Sequence, residues 1–132
     1  MKLVLVQTAE AVLTLDAEDG VVDVDAGARL DPQPTIPISL PAVIACVGSG
    51  STLVALVSRR PPLVVSHDSG RTWHEAGGGL PRGRAIAIDE DDPDSILFAA
   101  AHRVWLSRDG GRFWESVALD LPEIEAVAFS TA

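Results

Sequence analysis

Arginine is the residue type of this sequence best placed to do chemistry. Arg59-Arg60, Arg82, Arg84 and His102-Arg103 fall in three short segments between apolar runs. Guanidinium groups gathered on one surface bind carboxylate or phosphate through paired, charge-assisted hydrogen bonds. These six positions are therefore the candidate contacts for a ligand or partner, unless the arginines stay solvated or pair with Glu10, Asp120 or Glu123. A second chemical feature is the acidic run Asp89-Glu90-Asp91-Asp92-Pro93-Asp94. Clustered carboxylates suit calcium, but the run lacks the glycine and the terminal glutamate of an EF-hand loop. It reads as a solvated turn, and neither a metal nor any other cofactor is expected. His67, His74 and His102 have no metal-ligand spacing to one another. Gly77-Gly78-Gly79 lacks the Lys-Ser/Thr and the following helix of a phosphate-binding loop. Cys46 is the only cysteine; within the apolar run Val43–Val47 it reads as a small buried hydrophobe rather than a reactive thiol.

What must position these side chains is a repeat. Ser66-His67-Asp68-Ser69-Gly70-Arg71-Thr72-Trp73 and Ser107-Arg108-Asp109-Gly110-Gly111-Arg112-Phe113-Trp114 match at Ser, Asp, Gly, Arg and Trp, 41 residues apart. That offset suits one four-stranded propeller blade of about 40–45 residues. The motif describes a tight turn between antiparallel strands. The aspartate accepts hydrogen bonds from turn amides, the glycine supplies a positive φ, and the aromatic anchors the turn.

The pattern resembles the Asp-box (BNR) repeat, and the surrounding residues resemble the propellers of sialidases, sortilin-type receptors, xyloglucan hydrolases and photosystem II assembly factors. Gly79-Leu80-Pro81, Ala85-Ile86-Ala87-Ile88-Asp89 and Asp92-Pro93-Asp94-Ser95-Ile96-Leu97 carry that likeness, which extends over residues 62–130. It implies that Ser66, Asp68, Gly70, Thr72 and Trp73, and Ser107, Asp109, Gly111 and Trp114, are fold elements rather than catalytic ones.

Short apolar runs separated by turn signals predict an all-β chain. Blade strands are labelled A (innermost) to D. One domain, residues 1–132, is expected to hold about three blades. The first supplies only strands B, C and D (1–30), as Lys2–Gln7, Ala11–Leu15 and Val21–Asp25, around a degenerate turn at Thr14-Leu15-Asp16. Asp31–Pro37 makes a stiff, proline-rich crossing. The second blade (40–80) has Ala42–Val47, Thr52–Val57, Leu63–Ser66 and Thr72–Glu75. The third (83–121) has Arg84–Ile88, Ile96–Ala101, Arg103–Ser107 and Phe113–Leu119. A closing A strand lies within 123–130, at Ile124–Phe129. Propellers need about 4–8 blades to close, and an isolated arc leaves two apolar blade faces in water. The expectation is a homodimer closing a ring of about six blades, each terminal A strand completing the partner's first blade, or docking onto a larger complex.

Charge and composition narrow the function. A net charge of -9 disfavours nucleic acid and anionic membranes, which are themselves polyanions. Lys2 and Leu3–Val6 begin like a signal peptide, but Gln7, Thr8 and Glu10 interrupt it, and no run approaches the ~20 apolar residues of a membrane span. A cytoplasmic protein is expected. Sialidases use a tyrosine nucleophile and this chain has no tyrosine; xyloglucan hydrolases use acid pairs between two complete propellers. The residues therefore point to a non-catalytic binding or assembly module working through the arginine-bearing face. The alternatives are a carbohydrate-binding lectin or a glycosidase-like enzyme, though Trp73 and Trp114 belong to the turns and Trp105 to a strand.

Overall fold

The computed structural model describes residues 3–16, 19–31 and 33–130. Lys2, Pro32 and the positions following Asp16 in the degenerate turn lie outside them. Among the described residues twelve strands account for the regular structure. They are β1 (Leu3–Thr8), β2 (Ala11–Asp16), β3 (Gly20–Ala26), β4 (Val43–Ser49), β5 (Thr52–Val57), β6 (Leu63–Ser66), β7 (His74–Ala76), β8 (Ala85–Asp89), β9 (Asp92–Ala99), β10 (Val104–Ser107), β11 (Glu115–Ala118) and β12 (Ile124–Phe129). No helix long and apolar enough to cross a membrane occurs among the described residues.

The strands form three antiparallel four-stranded sheets, ordered β12-β1-β2-β3, β4-β5-β6-β7 and β8-β9-β10-β11. Each reads as a propeller-like blade. The closing strand β12 pairs with β1 of its own chain, in the register Val4↔Phe129, Leu5↔Ala128 and Val6↔Val127. This corrects the expectation that the strand would complete a partner's blade. In that register Val127 and Phe129 join the core that holds Val4 and Val6.

The third sheet stands in the middle of an open arc, and its side chains alternate between two cores. Ile86, Ile88, Ile96, Phe98 and Trp105 pack with Val47, Val54, Leu56, Leu63 and Val65 of the second sheet. Ala87, Leu97, Ala99, Val104 and Leu106 pack with Val4, Val6, Leu13, Leu15, Ile124 and Val127 of the first. Period-two alternation sends neighbouring residues to opposite faces. A strand covered on both faces must therefore be apolar throughout, as these runs are.

The crossing between the first and second sheets is a structural element in its own right. Arg29 reaches Glu125 on β12 at 2.9 Å, Gln33 bonds to Ile88 on β8, and the Ile36 amide donates to the Cys46 carbonyl on β4 at 2.8 Å. The segment thus touches the edge strand of every sheet. Ile36, Ile38 and Leu40 then lie over Cys46, Ala55, Val57 and Val64, which are buried. The outer face of the second sheet, expected to stand in water, is covered by the chain's own crossing. The opposite end of the arc is the outer face of the first sheet, with Leu5, Gln7, Val12 and Thr14 in register across it.

Candidate functional site

Two turns at the ends of β6 and β10 set the geometry on one side of the arc. In the first, Ser66 donates to Asp68 at 2.7 Å, and its oxygen accepts the Gly70 amide at 2.8 Å. Asp68 in turn accepts the Thr72 amide at 2.9 Å and the Thr72 hydroxyl at 2.6 Å. The second turn repeats this: Ser107 to Asp109 at 2.8 Å, Gly111 to Ser107 at 2.9 Å, and the Phe113 amide to Asp109 at 3.0 Å. Gly70 and Gly111 have φ of 91° and 98°, where a Cβ would be strained. Both indole N–H groups close their turn on the glycine carbonyl at 3.1 Å.

Every carboxylate oxygen bond favours the ionised form. The Thr72 hydroxyl and amide, with Ser66, hold Asp68 well below the usual carboxylate range. Asp109 is lowered by the Phe113 amide and Ser107, against some desolvation. These aspartates are thus committed to backbone and hydroxyl partners of their own turns, as fold elements are.

The opposite side carries the arginines. Arg60, His102 and Arg103 line one depression of about 550 Å³ between the second and third sheets. Gly79, Leu80, Pro81, Ala100, Ala101 and Trp105 complete its wall. The Arg103 guanidinium stacks over the Trp105 ring, 4.8 Å from its centroid. This cation–π contact follows from spacing: Arg103 and Trp105 are two apart on an extended chain and share a face. His102 Nδ1 lies 2.9 Å from the Leu121 carbonyl, and its own carbonyl accepts the Leu121 amide at 3.1 Å, which fixes the loop.

The six sequence candidates separate here. Arg60, His102 and Arg103 converge on the depression. Arg59 and Arg82 are exposed in the loops beside it. Arg84 turns away to Glu123 at 2.8 Å and to the Ile124 carbonyl. Sequence reading missed Leu80, Pro81 and Trp105, the apolar wall. The only signal for Trp105 was its two-residue offset from Arg103.

The acidic run forms the β8–β9 hairpin, with Asp89 paired to Asp92. Asp89 caps the Asp91 amide at 3.0 Å, and Asp92 accepts the Asp94 amide and the Ser95 hydroxyl. Among the described residues no group of three or more His, Cys, Asp or Glu is arranged to hold a metal ion.

No family model matches the chain, and no curated protein matches it. Among solved structures it is similar to the GH74 enzyme of Niastella koreensis, at 18% identity and a TM-score of 0.46. The match covers 91% of this chain and 18% of that one, so this chain spans less than a fifth of that enzyme's length.

Proposed function

We propose that this chain is a non-catalytic binding module of the Asp-box propeller type, whose arginine-bearing face takes a carboxylate-rich segment of a partner protein. One observation carries the reading. Arg60, His102 and Arg103 surround a single depression walled by Leu80, Pro81 and Trp105, and neither arginine has an ion-pair partner among the described residues. By contrast, Arg29, Arg84 and Arg108 are each engaged by a glutamate. A cation held over an indole is pre-oriented, so less side-chain freedom is lost on binding. The residues lining the depression include no Asp or Glu, whereas glycoside hydrolysis ordinarily needs a carboxylate pair. The two Ser-Asp-Gly turns support the assignment to Asp-box propellers. Closure of a ring by a second copy is less favoured, because residues 36–40 occupy the second sheet's outer face.

The test is a fluorescence-anisotropy titration with a labelled Glu/Asp-rich peptide, beside a Gln/Asn peptide of the same length. The acidic peptide should bind, weakening steeply between low and physiological salt. Charge reversal at Arg60 and Arg103 should abolish that binding while reversal at Arg84 leaves most of it. Equal affinity for both peptides, or indifference to the Arg60 and Arg103 changes, would sink the proposal.

A further inference from the structure

The outermost strands of the three sheets differ in length. β7 has 3 residues and β11 has 4, but β3 has 7. Sheets avoid unwanted pairing by keeping edge strands short or protected, so a long edge calls for explanation. β3 is also apolar where it should be polar: Val21, Val22 and Val24 are 46%, 52% and 58% exposed. Among the described residues its only strand neighbour is β2, and the outer row of amides and carbonyls has no strand partner.

β11, which packs beside β3, continues this surface. Phe113 and Leu119 flank β11 and are 78% and 54% exposed. Five of the six large hydrophobic side chains exposed among the described residues therefore lie on β3 or immediately beside β11. Phe113 can be judged against the molecule's other turn. Its counterpart Thr72 gives Asp68 a 2.6 Å hydroxyl hydrogen bond, which phenylalanine cannot make. The second turn forgoes that bond and places an aromatic ring in water, beside a hollow of about 230 Å³ lined by Leu106, Arg108, Asp109, Trp114 and Glu115.

The register defines what would fit. Val21 pairs with Leu15 and Val24 with Leu13, on the face turned toward the third sheet. Asp23 and Asp25 pair with Thr14 and Val12, on the outer face, and neither has an ion-pair partner among the described residues. A strand added to β3 would thus meet valines on one face and unpaired carboxylates on the other.

We propose that β3 is a docking edge for an extended segment of a partner protein in which apolar residues alternate with Lys or Arg. The segment joins the first sheet as a fifth strand. Its apolar side chains cover Val21, Val24 and Phe113, and its basic side chains face Asp23 and Asp25. This surface is opposite in charge to the arginine-bearing depression and independent of it.

The full chain is titrated with a labelled peptide alternating Lys with Val and Thr, and with the same peptide carrying a central proline. The first should bind and slow amide exchange across residues 20–26; the proline peptide, unable to complete the ladder, should not. Asp23→Lys with Asp25→Lys should weaken binding about tenfold, since opposite charges facing each other across a strand pair attract and like charges repel. Phe113→Thr should weaken it a few-fold without loss of fold, because threonine is the residue the first turn already uses. Equal binding of both peptides, no added protection at 20–26, or indifference to the charge reversals overturns the proposal. So does a doubled native mass with β3 already protected, which would assign the edge to a second copy.

Discussion

The side-chain amide of Gln33 pairs with both backbone groups of Ile88: its Nε2 donates to the Ile88 carbonyl at 2.9 Å, and its Oε1 accepts the Ile88 amide at 2.9 Å. A glutamine thereby takes the place of a neighbouring strand at the free edge of β8. With Arg29 on β12 and Ile36 on β4, it holds the crossing segment against the inner edge of the whole arc.

Gln33→Ala should destabilise the protein by about 1–3 kcal/mol, since two hydrogen bonds are lost at a half-buried edge. Gln33→Glu keeps the shape but cannot donate to the Ile88 carbonyl, and should recover little of that loss. Urea unfolding of the two variants checks this; a change below about 0.5 kcal/mol for Gln33→Ala would show that the segment is held by its isoleucines alone.

Cys46 reports whether the cover over the second sheet stays closed. Its side chain is buried, and burial raises its thiol pKa, so at neutral pH it is a protonated, enclosed thiol. Reaction with a thiol reagent should be slow in the native protein and should accelerate on replacing Ile36 and Ile38 with alanine, before any global unfolding. Rapid labelling of the unaltered protein contradicts the buried arrangement.

The two turns predict acid sensitivity. Asp68 and Asp109 have folded pKa values below those of free aspartate, as Glu125 does below free glutamate through Gln7 and Arg29. Ionised groups of lowered pKa stabilise the fold fully above the unfolded carboxylate value of about 4, and that stability is lost as pH falls through the folded value. Tm should therefore drop below about pH 4, and Asp68→Asn should show a lower Tm at neutral pH with a shallower acid limb. Parallel limbs for the two proteins would refute the assignment.

Phe98 is fully buried between Trp105 and Trp114, at centroid distances of 5.6 and 6.2 Å, so Phe98→Ala should cost about 3–5 kcal/mol. Gly83 faces the same ring. A Cβ there would stand 2.6 Å from Phe98 and 2.4 Å from Leu56, so Gly83→Ala should destabilise by about 1–3 kcal/mol through overpacking. Thermal unfolding measures both. Neutrality at Gly83 would mean that the sheets separate to admit a methyl group.

Strands were legible because they are local. Thr52–Val57, Leu63–Ser66 and Ile124–Phe129 stand where their apolar pattern places them, and the turns at Ser66 and Ser107 follow from residues within one turn of each other. The start of β9 at Asp92 was not legible, since Asp-Pro-Asp reads as a turn and is carried into the strand only by pairing of Asp92 with Asp89. At the candidate site, spacing put Arg60, His102 and Arg103 in neighbouring loops and offered Glu123 as one partner for the arginines, but it did not single out Arg84, 39 residues away, as the one Glu123 engages. Nor did it show that Ile36, Ile38 and Leu40 cover the second sheet, because a proline-rich crossing looks the same in sequence whether it spans solvent or a core.

By itself the sequence determined the β content, the two Ser-Asp-Gly turns and the split of each apolar run between two faces. All of these depend on φ, ψ and side-chain alternation over a few residues. Only the tertiary structure decided which strand edge receives β12, which apolar faces are covered, and which arginines share a depression. Those outcomes depend on pairings between residues up to more than a hundred positions apart, such as Gln7 with Glu125, where burial and edge hydrogen bonding choose among partners that local pattern leaves equivalent.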